Sequence, residues 1–335
     1  MVAALIGAAA ALSGCDKLLD SLIEQKLTRI DYKILDDPGM HIIMAGTGSP
    51  RIDPKRGQAC VVIIAGREFL LFDAGEACIR RIEMMDLPID RITGIFVTHL
   101  HSDHIGGLGQ TINLSWIWGR KNKLDVYGPE GIESVIDGIT KTYAPDIQIR
   151  TTLQGDDILD QDHAVAHANL ISLKDSDAET VFDRNGVVVK AFLVEHQPAE
   201  PAFGFRIEYK GRTVVISGDT RKCDAVMQNS RGADILIHEA MNKDMVKRIA
   251  EVFKKLGDET RTKLILNVMD YHIHTIEAAE VARDAGVEKL VLTHIAPPFP
   301  NALTKWLFTR GMKEVFEGEI VIAEDGMRFY LEPKL

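Results

Sequence analysis

The sequence has few cysteines, four in 335 residues, and no two of them form a C-x-x-C pair. The three that lie beyond the N-terminal segment are Cys60, Cys78 and Cys223, which do not make an even disulfide framework. Cys60 and Cys78 flank a predicted hairpin and would bridge in an oxidising compartment. Because free cysteines are often buried, we favour buried free thiols for all three.

Positive charge is also in deficit, with 39 Lys and Arg against 49 Asp and Glu, which gives a net charge of −10. Binding to nucleic acid requires a basic face, because the phosphate contacts come from Lys and Arg. From the charge balance we therefore do not expect a nucleic-acid partner. The hydrophobic content of 46% is ample for a core, and the length allows one large domain or two small ones.

The apolar run at residues 1–13 is shorter than the roughly 20 residues of a membrane-spanning helix. It fits the apolar core of a secretory signal, although no Lys or Arg precedes it. Its end, Leu12-Ser13-Gly14-Cys15, resembles the bacterial lipobox, in which the cysteine is lipidated. The resemblance implies a signal peptide at 1–14, a tether at 15–39 and a folded domain at 40–335. We expect an exported chain, lipid-anchored through Cys15 on the periplasmic side, with the inner membrane favoured by Asp16.

Several predicted strands share one feature, a polar residue at the carboxyl end. Predicted helices lie between these strands, and no Pro- or Gly-rich linker or internal repeat interrupts the order. Side chains on strand ends are rigidly held, as a metal site requires. The strand-end residues are Asp73, His99, His196, Asp219 and His294.

The densest group of such residues is the stretch at 98–107, which contains the pattern H-x-H-x-D-H after an apolar strand at 94–97. His99 and His101, two residues apart on a strand end, point the same way. Asp103 and His104 follow on the turn and face a second point. The spacing therefore suits two metal ions, and imidazole with carboxylate suits zinc, iron or manganese.

This stretch resembles the signature of the metallo-β-lactamase superfamily. The Gly46-Thr47-Gly48-Ser49-Pro50 loop and the Phe72-Asp73-Ala74-Gly75 turn are similar to entry motifs of its ribonuclease Z-like and arylsulfatase-like members. The resemblance implies an α/β fold, an αββα sandwich of two mixed β-sheets flanked by helices. It also implies that Asp73 supports the metal site from outside the ligand set, the alternative being a turn-capping role.

The same resemblance implies a set of seven ligands for two Zn²⁺ ions, with Mn²⁺ or Fe as alternatives. A hydroxide between the two ions would be the nucleophile, and Asp103 would also accept its proton. One ion would be held by His99, His101 and His196 and the other by Asp103, His104 and His294, with Asp219 bridging them.

One further histidine is implied by position. Ribonuclease Z-like enzymes carry a catalytic histidine about twenty-two residues before the last ligand, and counting back from His294 gives His272, with His274 as the alternative. Glu239 would orient a ligand or His272.

The substrate is predicted from what the chain does not share with ribonuclease Z. Those enzymes usually carry a long basic arm between the third histidine ligand and the bridging aspartate, whereas His196 and Asp219 are separated by a short predicted hairpin. We therefore expect a dinuclear zinc hydrolase of small anionic phosphate or sulfate esters. The alternatives are a ribonuclease Z-type RNA phosphodiesterase that processes tRNA 3′ ends and a non-enzymatic metal-binding lipoprotein. Residues 241–269 are expected to form a lid or wall of the pocket, and a homodimer is left open.

Overall fold

The structure, a computed structural model, describes residues 16–26, 28–173 and 177–334. The expected signal peptide and Cys15 lie outside the described residues. Residues 16–26 are helical and exposed, and a 3₁₀ helix at Tyr32–Asp36 buries Ile34 against the folded domain. Every helix in these described ranges is too short or too polar to cross a bilayer. The division into signal, tether and domain stays a prediction.

Strands and helices alternate through most of the chain, as the sequence predicted. The strands are β1 Met40–Gly46, β2 Cys60–Ala65, β3 Glu68–Phe72, β4 Gly94–Phe96, β5 Leu124–Gly128, β6 Ala166–Leu170, β7 Glu179–Arg184, β8 Val187–Val194, β9 Ala202–Tyr209, β10 Arg212–Ile216, β11 Ile235–Met241, β12 Lys289–Ala296, β13 Glu319–Ile322 and β14 Arg328–Leu331. The helices are α1 Cys78–Met84, α2 Ser102–Ile105, α3 Leu108–Ile117, α4 Ile132–Gln154, α5 Asp224–Asn229, α6 Lys243–Lys255, α7 Glu259–Asn267, α8 Thr275–Ala285, α9 Ala302–Thr309 and α10 Met312–Val315. Further 3₁₀ turns occur at Ile89–Arg91, Gln161–His163 and Val268–Asp270.

The strands form two mixed sheets of seven strands each. The first has the order β14-β1-β2-β3-β4-β5-β6 and the second β13-β12-β11-β10-β9-β8-β7. In each sheet a run of antiparallel pairs meets a run of parallel pairs, such as β1 with β2 and β4 with β5 in the first sheet. With helices packed on the outer faces, this is the αββα sandwich, and the predicted fold class is confirmed.

The core lies between the two sheets and is rich in aromatic side chains. Phe96 of β4 is fully buried, and its ring lies 5.1 Å from that of Phe72, 4.7 Å from Tyr127 and 5.6 Å from Phe205. Phe205 belongs to the second sheet, so this ring cluster joins the two layers. Separate apolar clusters hold the helices to the outer faces.

The cysteines differ from expectation. Cys60 at the start of β2 and Cys78 at the start of α1 are joined in a disulfide, with their Cα atoms 5.7 Å apart. The expectation of free thiols was wrong for these two, because the turn after β3 brings the start of α1 back beside β2. Cys223 is free and buried, as expected.

The strand ends that carry polar residues meet at one edge of the sandwich. Asp73 follows β3, His99 follows β4 and Asp219 follows β10, while His294 lies near the end of β12. Because these strands come from both sheets, the edge collects side chains that are far apart in sequence. It is where the site is assembled.

We expect Phe96→Ala to lower the free energy of unfolding by about 3–5 kcal/mol, the usual cost of removing a buried phenyl group. Chemical denaturation followed by circular dichroism measures it. The matched control is Trp118→Ala, whose side chain is 54% exposed, with an expected change within about 0.5 kcal/mol. A loss no larger than that of the control would contradict the central place of this ring cluster.

Candidate metal centre

The carboxylate of Asp219 is the centre of the site. It is buried, and its Oδ2 atom lies 3.3 Å from the Nε2 atoms of both His104 and His294. The Nε2 atoms of His99 and His196 lie at 3.9 and 4.0 Å. One oxygen thus faces ring nitrogens from the segments that follow β4 and β8 and from β12 itself, which is the position that the predicted bridging role requires.

Backbone geometry at Asp219 depends on a glycine. Gly218 has a φ of 63°, and a Cβ atom there would lie 2.5 Å from the carbonyl oxygen of Phe203. Only glycine permits both the left-handed conformation and this close approach. The turn after β10 can therefore place Asp219 directly between the two sheets.

Three of the predicted ligands form a first group. His99 Nε2 lies 2.9 Å from His101 Nδ1, and His196 Nε2 lies 3.2 Å from the same atom. Burial lowers the pKa of all three rings, most strongly that of His99. Neutral imidazoles in this arrangement can all offer a lone pair to one point, which is what a metal ion requires.

A second group consists of Asp103, His104 and His294. His294 Nε2 lies 3.0 Å from Asp103 Oδ2, and His104 Nε2 lies 3.6 Å from the same oxygen. Burial lowers the pKa of His294, but Asp219 and Asp103 outweigh it and raise the pKa to about 9. Burial likewise opposes protonation of His104, whose pKa is nevertheless raised by Asp219 and Asp73.

The ring of His294 is aimed by an irregularity in β12. Glu239 pairs with Thr293 and Ala240 with Ile295, so His294 is an extra residue with a φ of 48°. A bulge of this kind redirects a side chain, and left-handed non-glycine residues cluster at functional sites. Asp73, with a φ of 61°, is a second example at the same edge.

Residues behind the ligands fix their orientation. Asp73 Oδ2 lies 2.7 Å from His104 Nδ1, and Tyr271 accepts a hydrogen bond from His196 Nδ1 at 3.0 Å through its carbonyl oxygen. In both rings the other nitrogen, Nε2, then faces the cluster, which is the usual arrangement around bound metals. Asp73 thus lies where its supporting role was predicted.

Thr98 is a supporting residue that the sequence reasoning missed. Its backbone N–H donates to Asp73 Oδ1 at 2.8 Å, and its Oγ1 lies 3.0 Å from His99 Nδ1 and 3.3 Å from His104 Nδ1. It opens the histidine motif, so its place at the strand end was a signal that could have been used. The same hydroxyl group donates to Asp73 Oδ2 at 3.0 Å, so it contacts three site residues.

His272 lies at the cluster and His274 does not. His272 Nδ1 is 3.0 Å from Glu239 Oε1, and its ring is stacked 5.4 Å from that of His294. His274 instead caps α8, and its Nδ1 accepts from the backbone N–H of Lys243 at 3.3 Å. The geometry therefore favours His272, oriented by Glu239, over the alternative.

The cluster fits divalent cations. His104 Nε2 is buried without a hydrogen-bond partner among the described residues, although carboxylate oxygens lie nearby. The grouped nitrogen and oxygen atoms lie within 4.8 Å of one another in each of several overlapping sets, two of which are the trios described above. Buried carboxylates and imidazoles at such density are typical of metal sites.

Comparison with known proteins agrees with this geometry. The family model described as "Anti-Pycsar protein Apyc1" matches residues 40–294. Ribonuclease Z of Mycobacterium bovis is 31% identical over 299 residues, covering 88% of this chain and 99% of that protein. The chain belongs to the Apyc1 family, in the ribonuclease Z-like branch of the metallo-β-lactamase superfamily. It is a ribonuclease Z-like metallo-hydrolase.

Solved structures give the same result. Human tRNase Z, short form, has a TM-score of 0.60 and 27% identity, covering 88% of this chain and all of that chain. The metallo-β-lactamase fold protein YhfI from Bacillus subtilis, at 20% identity and a TM-score of 0.61, shares the fold over 88% of this chain and all of that chain.

These findings correct two expectations. Relatives named for cleavage of RNA contradict the prediction that a nucleic-acid partner is not expected. The inference failed because a net charge averages the whole surface and says nothing about one local face. An arylsulfatase-like activity gains no support, and the ribonuclease Z alternative fits better than the small-ester prediction.

Replacing Asp219 by Ala is expected to abolish stable metal binding, because this carboxylate lies between the two trios and faces histidines of both. Elemental analysis of the purified variant measures metal per chain. Asp244→Ala, which removes an exposed carboxylate on α6, is the matched control and should keep the wild-type metal content. Full metal content together with wild-type turnover in Asp219→Ala would contradict the bridging assignment.

Proposed function

We propose that this chain is a metal-dependent phosphodiesterase of the ribonuclease Z type, with RNA as its substrate class. The observation that carries the proposal is the buried Asp219 carboxylate surrounded by imidazoles, with His272 beside them. It occurs in a chain that matches a ribonuclease Z over 99% of that protein's length.

The site residues have two proposed roles, binding metal ions and transferring protons, and Asp103 has both. We infer two ions, Zn²⁺ by the chemistry of the donors, held by the seven predicted ligands. When bound, such ions activate a water molecule and offset the charge that develops on the phosphoryl oxygens. The ligands are His99, His101, Asp103, His104, His196, Asp219 and His294.

We infer that Asp103 accepts a proton on the attacking side. Burial would raise its pKa, but the hydrogen bond with His294 and the nearby His104 outweigh burial and lower it. The group is therefore a carboxylate at neutral pH, with the Oδ2 atom directed at the ligand rings. An ionised carboxylate in this position can take the proton of the attacking water.

We infer that His272 serves the leaving group. Its Nδ1–H donates to Glu239 Oε1, which also accepts the backbone N–H groups of Thr220 at 3.2 Å and Ile273 at 3.1 Å. With Nδ1 held in this way, Nε2 is the ring nitrogen that remains to donate a proton to the leaving oxygen. Hydrolysis then yields a phosphomonoester and a free hydroxyl group.

The substrate class is tested by turnover of the purified, Zn²⁺-loaded chain on a precursor tRNA, an aryl phosphodiester and an aryl sulfate. We expect the two phosphodiesters to be cleaved and the RNA to be preferred by kcat/KM. Addition of a chelator should remove the activity, and restoring Zn²⁺ should return it. Cleavage of the sulfate alone would contradict the proposal.

His272→Ala is expected to lower kcat on RNA by about 10²–10⁴-fold, the usual contribution of a general acid. Because His272 is not in the proposed ligand set, the metal content should not change. The comparison variant is His274→Ala, whose ring caps α8 away from the cluster. If His274→Ala lost activity and His272→Ala did not, the proton-donor role would pass to His274.

A further inference from the structure

A large groove opens at the same edge of the sandwich as the metal centre. Its volume is about 1030 Å³, and its walls are residues 51–56 after β1, part of α6 after β11, and residues 297–302 after β12. Pro297 is the third residue after His294, and the backbone N–H of Ile295 donates to the carbonyl oxygen of Thr47 at 3.0 Å. The groove walls therefore follow the carboxyl ends of β1, β11 and β12, and β12 is the strand that carries His294.

The groove is lined by more basic than acidic side chains, whereas the chain as a whole is acidic. Five basic and three acidic side chains line it, in a protein whose net charge is −10. The side chains of Arg51, Lys55 and Arg248 are exposed and form no hydrogen bond or salt bridge with other side chains in the described ranges. Exposed cations without protein partners are available to an anionic ligand.

Other cations in the groove are already engaged. Lys305 forms a salt bridge with Glu324 at 2.9 Å. Arg56 donates to the Thr47 hydroxyl group, and its guanidinium lies 5.3 Å from the centre of the Phe299 ring. These contacts shape the wall, whereas the three exposed cations are free to bind.

Aromatic and apolar surface accompanies the charge. Phe253 of α6 and Phe299 both line the groove and are partly exposed. Phe299 is held against Phe308, with the ring centres 5.3 Å apart. Ile52, at 89% exposure, also lines the groove. Cations with ring faces between them are the combination that binds single-stranded nucleic acid, by phosphate contacts and base stacking.

We propose that this groove binds the single-stranded RNA segment that adjoins the scissile phosphodiester. Arg51, Lys55 and Arg248 contact backbone phosphates, and a base packs against Phe299. The proposal rests on the phosphodiesterase function and extends it to the surface that holds the substrate. The groove would take the place of the basic arm of ribonuclease Z. This chain lacks that arm, since β9 and β10 are joined only by Lys210 and Gly211.

The test uses Arg248→Glu in the full chain, with Lys254→Glu as the matched control. Both residues lie on α6 and are exposed, but Lys254 does not line the groove. Substrates are an RNA strand of about 12 nucleotides, within the span of known single-strand sites, and bis(p-nitrophenyl) phosphate. The salt dependence of RNA cleavage is measured for each variant.

Arg248→Glu should lower kcat/KM for the RNA at least about tenfold more than for the aryl diester, the size of one lost charge contact. The slope of log kcat/KM against log salt should decrease by about 1, as for one lost phosphate contact. Lys254→Glu should leave the ratio of the two substrates and the slope unchanged. Binding of a fluorescent RNA, followed by anisotropy, should weaken in Arg248→Glu alone.

One result would overturn the groove proposal alone: a wild-type chain that cleaves both substrates, with equal substrate ratios of kcat/KM in Arg248→Glu and Lys254→Glu. Cleavage of the aryl diester with no cleavage of RNA would overturn the groove proposal together with RNA as the substrate class, and would leave only the phosphodiesterase chemistry. A wild-type, Zn²⁺-loaded chain that cleaves neither diester would overturn both proposals together.

Discussion

The buried carboxylate of Asp219 is the constraint on which the site depends. An isolated carboxylate in a protein interior is strongly unfavourable, so positive charge must lie around it. Without metal, protons supply that charge, since the neighbouring carboxylates raise the pKa of His104 and bring that of His294 to about 9. Divalent cations that displace those protons would satisfy the same carboxylate. The electrostatics of the folded chain therefore favour metal at this point.

That constraint reaches into the fold, because the ligands come from both sheets. The backbone N–H of Phe203 in β9 donates to the carbonyl oxygen of Thr98 at 2.9 Å, which joins the second sheet to the first beside the ligands. Left-handed residues at Asp73 and His294 turn their side chains into the gap. A packed aromatic core behind the site keeps the strand ends fixed, since interiors at native density deform little. The geometry of the cluster is thus a property of the whole sandwich.

Much of this was predictable, for a physical reason. The alternation of strands and helices, and polar residues at strand ends, are local patterns, so the fold and the positions of His99, Asp219 and His294 could be inferred from sequence. Contacts between distant segments could not. The pairing of Cys60 with Cys78 and the role of Thr98 depend on how turns fold back, which periodicity does not encode. The charge argument failed because it summed over the surface, whereas binding depends on local arrangement.

Chemistry and substrate binding are placed on different parts of this molecule. The proposed ligands lie on strand ends and in the tight turns after them, held by hydrogen bonds from residues such as Asp73 and Thr98. The groove is built from a loop, a helix and a proline-rich segment that follow those strands. Such connecting segments accept changes of length and charge far more readily than buried strands do. A chain can therefore keep its metal centre and change the surface that holds the substrate. The same separation explains why seven matching ligand positions predicted the type of reaction but could not by themselves predict which ester is cleaved.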